Sequence, residues 1–193
     1  MSPRTTIQNE EIRQKSRTKI MQAALREFGN HGFESTSIAQ IAKAAGVSKG
    51  LLYNYFDSKD ILLQEIILNA IKEAEAKMAG LIVEDSATTI ENIIRWTFKE
   101  VSENQDYWRL YTELSFKLSK HQFIHDMALA KGSEFISFLS HHLKQLGFQD
   151  PAKEARIFSA VMDGVGVHAM TLGDDYPKEE MEEFLIEKYC KKS

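Results

Sequence analysis

Thr36-Ser-Ile-Ala-Gln-Ile-Ala-Lys-Ala-Ala-Gly-Val-Ser-Lys-Gly-Leu-Leu-Tyr-Asn-Tyr-Phe56 decides the reading of this chain. It consists of two short apolar-striped segments hinged on one glycine. The first opens at Thr36 or Ser37, where Ser37 and Gln40 have the spacing of a capping box. Its stripe is Ile38, Ile41, Ala42 and Ala45, a helical period. Gly46 can adopt the left-handed backbone that ends a helix, and Ser48 can cap the next one. Ala42 and Ala45 are small enough for two helices to approach closely, while Ile38, Ile41, Val47 and Leu52 supply a core that fixes their angle. What remains on the second helix is polar or amphipathic: Ser48, Lys49, Tyr53, Asn54 and Tyr55. Gly50 removes a side chain where phosphates or base edges would crowd. This is the pattern of a helix-turn-helix, whose second helix enters the major groove of DNA.

Outward from this stretch the chain reads as helix throughout. Residues 1–10 are polar and aperiodic and predict a flexible arm. Ile20, Ala24 and Phe28 mark a helix that Gly29 and Gly32 end, completing a head over residues 11–57. Asp57 or Ser58 caps a long connecting helix, residues 58–78. Thr88 and Glu91 have capping-box spacing ahead of Ile90, Ile93, Ile94, Phe98 and Val101. An aromatic-rich helix follows over 107–120, and another over 121–146 carries Phe135, Ile136, Leu139, Leu143 and Leu146 and stops at Gly147. Asp150-Pro151 starts a helix that reaches about Leu172, and Pro177 starts the last. The expected fold is therefore all-α: a three-helix head, then a helical bundle over residues 58–193.

From Arg17 to Leu63 the sequence resembles the tetracycline-repressor (TetR) family of bacterial regulators. The residues that carry the resemblance are Ala23-Ala24-Leu25, Phe28, Gly32-Phe33, Thr36-Ser37, Ile41-Ala42, Ala45 through Gly50, Leu52-Tyr53, Tyr55-Phe56 and Ser58-Lys59. It implies a repressor that binds a palindromic operator in double-stranded DNA as a homodimer, and that a small-molecule effector releases. Thr36 and Ser37, at the opening of the second helix, are implied phosphate contacts, since helix N-termini present free N–H groups to anions. Ser48, Lys49 and Gly50 are implied at the entry of the recognition helix, Tyr53 and Tyr55 as hydroxyl donors to phosphate, and Lys59 as a further backbone contact. Leu51 and Asn54 occupy the family's variable positions; asparagine can pair bidentately with adenine. The alternative for Tyr53 is core packing, and for Lys59 a solvated helix end. Arg17 and Lys19 read as solvated.

The second half is less informative. Trp96, Phe98, Trp108, Tyr111, Phe116, Phe123 and Phe138 are the candidate pocket, and they point to an apolar or aromatic effector. Met162, Gly164, Val165, Gly166, Ala169, Phe184 and Leu185 are the candidate dimer face, because glycines inside a helix are costly unless another helix approaches closely. The alternative is that Gly164 packs within one subunit.

Bulk properties agree. The 193 residues are 43% hydrophobic and 27% charged, with three prolines and ten glycines. A net charge of −4 conceals an asymmetry, +3 over residues 1–60 and −7 over the remainder, which orients the head toward phosphate. The one cysteine, Cys190, excludes an intramolecular disulfide, and no apolar run is long enough to span a bilayer, so a cytoplasmic protein away from membranes is expected. No nucleophile-base pair, phosphate-cradling loop or metal triad stands out, and neither enzyme activity nor a cofactor is expected. His121 and His125 have helical metal-ligand spacing but no third ligand, and His141-His142 reads as a solvated face. The competing function is a DNA-bound architectural or protein-interaction factor without a ligand, which a fully packed second half would favour.

Overall fold

The computed structural model describes residues 6–117 and 121–191, and the regular elements among them are all helical. In chain order they are α1 (Thr6–His31), α2 (Ile38–Ala45), α3 (Lys49–Tyr53), α4 (Lys59–Ala79), α5 (Ser86–Glu103), α6 (Gln105–Lys117), α7 (Gln122–Gln145), α8 (Pro151–Leu172) and α9 (Lys178–Cys190). The local signals of the head act as read. Ser37 Oγ accepts the Gln40 N–H at 3.3 Å while the Gln40 side chain accepts the Ser37 N–H at 2.8 Å, closing the capping box. Gly46 takes φ 63°, and Ser48 and Ser58 cap α3 and α4 by accepting from Leu51 and Ile61.

Two starts differ from expectation. The polar stretch before Glu11 is helical from Thr6, where straight-chain formers and an i,i+4 bond from Gln14 to Glu10 extend α1; residues 1–5, Arg4 included, lie outside the described residues. Helix α5 is capped by Asp85 rather than Thr88, its carboxylate accepting both the N–H and the hydroxyl of Thr88. Those two bonds, with a third from the Ala87 N–H, hold the Asp85 carboxyl below its ordinary range.

Two apolar cores form. The head core joins α1, α2, α3 and the first half of α4 through Ile20, Phe28, Ile41, Leu52, Phe56, Leu62 and Leu63; the body core joins α5, α7, α8 and α9. Leu110 of α6 and Ile124 of α7 belong to the head core, whereas Trp108 of α6 packs against the body core. Helix α6 is therefore shared. Gly29 lets it dock, since a Cβ there would stand 2.7 Å from the backbone oxygen of Asp106. Glu113 then anchors the far end by accepting the Phe33 N–H at 3.2 Å.

The candidate dimer face needs correction. Met162, Val165, Gly166, Ala169 and Leu185 are buried within their own subunit, on the stripe of α8 and α9 that faces α5 and α7. Gly166 is explained by Trp108, whose ring would lie 2.7 Å from an added Cβ. Gly164 and Phe184 are on the outer side, Gly164 with nothing within 4 Å of a Cβ and Phe184 57% exposed. The histidine pair also splits: His142 is buried, its Nδ1 2.9 Å from the Ser86 hydroxyl, and burial lowers its pKa, while His141 is exposed.

Candidate nucleic-acid interface

Helix α3 is five residues long and could not persist alone; it is held by Leu52, fully buried beneath it, and by the caps at either end. Pinning one side leaves the other presented. Lys49, Gly50, Leu51, Tyr53 and Asn54 are all exposed, and Asn54 is the C-cap, so its amide projects from the end of the helix. The Lys49 ammonium stands 6.0 Å from the centre of the Tyr53 ring. Tyr53 is 44% exposed, which removes the core-packing alternative. Tyr55 is half-buried against the head core, with the Arg13 guanidinium 5.9 Å from its ring centre. The hydroxyls of Ser37 and Ser48 accept within their caps, and that of Ser37 also donates to Gln40.

Two implied phosphate contacts are turned inward. The Thr36 side chain is buried, and its hydroxyl donates to the Gly32 and Glu27 carbonyls at 2.8 and 3.1 Å. Lys59 Nζ donates to the carbonyls of Phe33, Glu34 and Thr36 at 2.8, 3.3 and 3.1 Å, and lies 4.4 Å over the Phe33 ring. An ammonium has three protons, so all three are engaged. Lys59 is a pin for the α1–α2 turn. Neither residue offers its side chain to DNA, because the turn from Gly32 to Thr36 presents more carbonyls than its own backbone can satisfy.

Positive charge reaches the α3 side from α1 instead. Lys19 Nζ would be 3.4 Å from a Cβ on Gly46, placing it over the α2–α3 turn, and Arg13 covers Tyr55. Sequence spacing did not find them, since it is the packing of α1 against α2 and α3 that brings them there. Arg17 is not solvated as read: it pairs with Glu65 of α4 and stacks over Phe56.

The candidate pocket aromatics do not share one cavity. Trp96 and Trp108 line a cleft of about 870 Å³ between α1, α4 and the α5–α6 corner. Phe98, two residues and about 200° of helical rotation from Trp96, is buried in the body core instead. Tyr111 is exposed with its hydroxyl 3.3 Å from Asp163 Oδ1, Phe123 is exposed at the start of α7, and Phe138 borders a shallow groove on the outer side of α7. The Phe116 side chain lies outside the described residues. Among the described residues, no group of three or more His, Cys, Asp or Glu could hold a metal, and no helix is long and apolar enough to cross a membrane.

A capped three-helix head presenting one short polar helix, joined by a long helix to a helical bundle, defines a helix-turn-helix regulator fold. Residues 20–66 match the family model described as bacterial regulatory proteins, tetR family. The chain is 32% identical over 124 residues to the HTH-type transcriptional regulator AcrR of Shigella flexneri, covering 63% of this chain and 56% of that protein. To the HTH-type transcriptional repressor KstR2 of Rhodococcus jostii it is 26% identical over 99 residues, covering 50% and 48%. The alignments thus span about half the length of these curated relatives. In fold it is similar to a transcriptional regulator from Saccharomonospora viridis solved in complex with choline, at TM-score 0.79 and 20% identity, covering 89% of this chain and 94% of that one. It is also similar to the fatty acid degradation regulator FadR from Bacillus halodurans, at TM-score 0.75 and 18% identity, covering 90% and 94%. Residues 20–66 of this chain are of the tetR family of bacterial regulatory proteins, and the chain as a whole shares the fold of the solved regulators.

Proposed function

We propose that the chain is a transcriptional repressor acting in the cytoplasm, which binds a palindromic operator in double-stranded DNA as a homodimer and is released by a small molecule. The observation that carries this reading is the outward face of α3: Lys49, Leu51, Tyr53 and Asn54 exposed on a helix whose other side is locked into the core. The test is a mobility shift with the palindrome nearest the start of the gene. Lys49→Ala should weaken binding to all sequences alike and lower the slope of log K against log salt by about one unit. Asn54→Ala should leave that slope unchanged and relax preference at one position in each half-site by about 1–2 kcal/mol. A selection experiment with the variant that returns the wild-type sequence preference would remove Asn54 as a reader.

A second copy fits the outer face of α8. Ile157, Val161, Gly164, Val167 and Leu172 line it at helical spacing, three of them large and exposed, and Phe184 of α9 adds an exposed ring. Exposed apolar stripes of this kind favour self-association. Phe184→Glu should shift the chain toward monomer in sedimentation and weaken operator binding, because two linked heads bind with far higher effective concentration than two free ones. A variant that remained dimeric at micromolar concentration would place the interface elsewhere.

The cleft beside Trp96 favours a ligand-responsive regulator over an architectural factor, since a cavity of several hundred Å³ suits a small molecule. The fold relative solved with choline supports a small-molecule ligand in general. The lining argues against the purely apolar effector expected from the aromatic count, because much of the wall is charged.

A further inference from the structure

The cleft is built from all three parts of the molecule. Its walls come from α1 of the head, from the connecting α4, and from the α5–α6 corner of the body. A guest there would touch the head directly instead of acting through the body core.

The charges of the wall do not cancel. Lys77 is spent on Glu100, whose other oxygen takes the Asn104 amide and so orders the corner. Arg17 is spent on Glu65, which does not line the cleft. What remains on the wall is Glu73, Glu103 and Asp106 against Arg26. Glu73 accepts only a neutral amide, from Asn69, and Asp106 has Arg109 no nearer than 3.7 Å. Glu103 has no ion-pair partner among the described residues. Three carboxylates facing one guanidinium leave a negative excess at the cleft, with Asp106 half-buried and Glu73 and Glu103 exposed. Its apolar surface is supplied by Met21, Leu25, Ile66 and the indole of Trp96. The neighbouring Tyr107 phenol has its pKa raised, first by burial and then by Glu100.

Trp96 adds a second, independent feature. Its indole N–H is buried and has no acceptor among the described residues. Such orphan donors are rare, because leaving one unsatisfied forfeits a hydrogen bond it would have made to water. A small rotation of the ring into the cleft would expose the N–H to an acceptor carried by a guest, which would then gain a bond that the empty protein lacks.

We propose that this junctional cleft is the sensory site and that it takes an amphipathic organic cation with a hydrogen-bond-accepting oxygen a few atoms from its charge. The cation meets Glu73, Glu103 and Asp106, the apolar part lies on Trp96, Met21 and Leu25, and the oxygen accepts from Trp96. Asp106 couples the guest to the head, since its backbone is the surface on which Gly29 of α1 rests. The proposal rests on the reading of the chain as a ligand-responsive regulator.

The test uses the full chain without DNA. Procaine is the probe: an aromatic ring, an ester carbonyl and a protonated amine. Ethyl 4-aminobenzoate is its control, with the same ring and ester but no cation. In calorimetry, procaine should bind about tenfold or more tightly than the neutral ester, the scale expected of a cation meeting excess carboxylate charge and an aromatic face. The doubly neutralised Glu73→Gln, Glu103→Gln chain, altered only on exposed helix positions, should reduce that preference to about threefold or less. Gln22→Trp, on the exposed side of α1, should abolish binding of both probes by filling the cleft. In nitrogen-15 spectra the indole N–H resonance that disappears in Trp96→Phe should move on procaine addition. Equal affinity for the two probes, a preference unchanged by neutralisation, or no binding at millimolar procaine would overturn the proposal. If the chain still shifts its operator in those cases, the regulator reading stands alone. If procaine binds as described and no operator is found, that reading falls and the site remains.

Discussion

Lys59→Met should lower the stability of the folded chain by about 3 kcal/mol, a fall of roughly 6–12 °C in Tm for a protein of this size. The side chain keeps its length and apolar contact with Phe33, but three carbonyls lose their common donor, and only that of Phe33 keeps a second one, the Thr36 N–H at 3.4 Å. Charge-assisted bonds are the stronger kind, and carbonyls left without partners in a half-buried turn bear the full desolvation cost. Operator binding should fall with the folded fraction and recover at lower temperature, with the salt slope unchanged. A phosphate contact behaves otherwise: the slope would drop by about one unit and Tm would stay put. Melting curves and a salt series on the same preparation separate the two.

Gly29→Ala and Gly132→Ala should move stability in opposite directions. Both glycines are inside helices, and alanine is favoured over glycine there by roughly 1 kcal/mol. At Gly132 nothing lies within 4 Å of the new methyl, so the substitution should stabilise by about that amount. At Gly29 the methyl would meet the Asp106 carbonyl at 2.7 Å, backbone against backbone, with no side-chain end to swing aside. Overpacking of this kind typically costs about 1–3 kcal/mol and outweighs the propensity gain. The two variants should therefore differ by the overpacking cost, about 1–3 kcal/mol in denaturant unfolding. The Gly29 variant should also loosen α6 from the head, visible as faster amide exchange at Phe33, whose N–H is held by Glu113. Equal stabilisation by both substitutions would mean that α1 and α6 can separate freely.

The head was legible because its residues act over three or four positions. Ser37 with Gln40, Gly46, Ser48 and Ser58 each satisfy or terminate a helix within one turn, so their roles can be read without knowing the rest. Lys59 and Thr36 escaped such reading because what they satisfy is set by tertiary placement: Lys59 reaches carbonyls 23 to 26 residues upstream. The body was legible in helix number and approximate ends but not in orientation. Helix α8 is apolar on both sides, with Ala155, Phe158, Met162, Val165 and Ala169 along one stripe and Ile157, Val161, Val167 and Leu172 along the other. Periodicity alone cannot say which stripe meets α5 and α7. Trp96 and Phe98 show the same ambiguity on a smaller scale, being two residues apart and facing different compartments.

Leu110 and Ile124 sit among head residues although both belong to body helices. This has an evolutionary consequence. A genetic crossover near residue 57 would deliver a new head onto a body whose α6 and α7 were shaped for the old one, and the mismatch would fall inside a close-packed core. Changes on the outer face of α3, where Leu51 and Asn54 are exposed, make no such demand on the core. Wholesale exchange of heads would require compensating changes at positions far along the gene. In this architecture point substitution on α3 is compatible with the packed core, and exchange of the head is not.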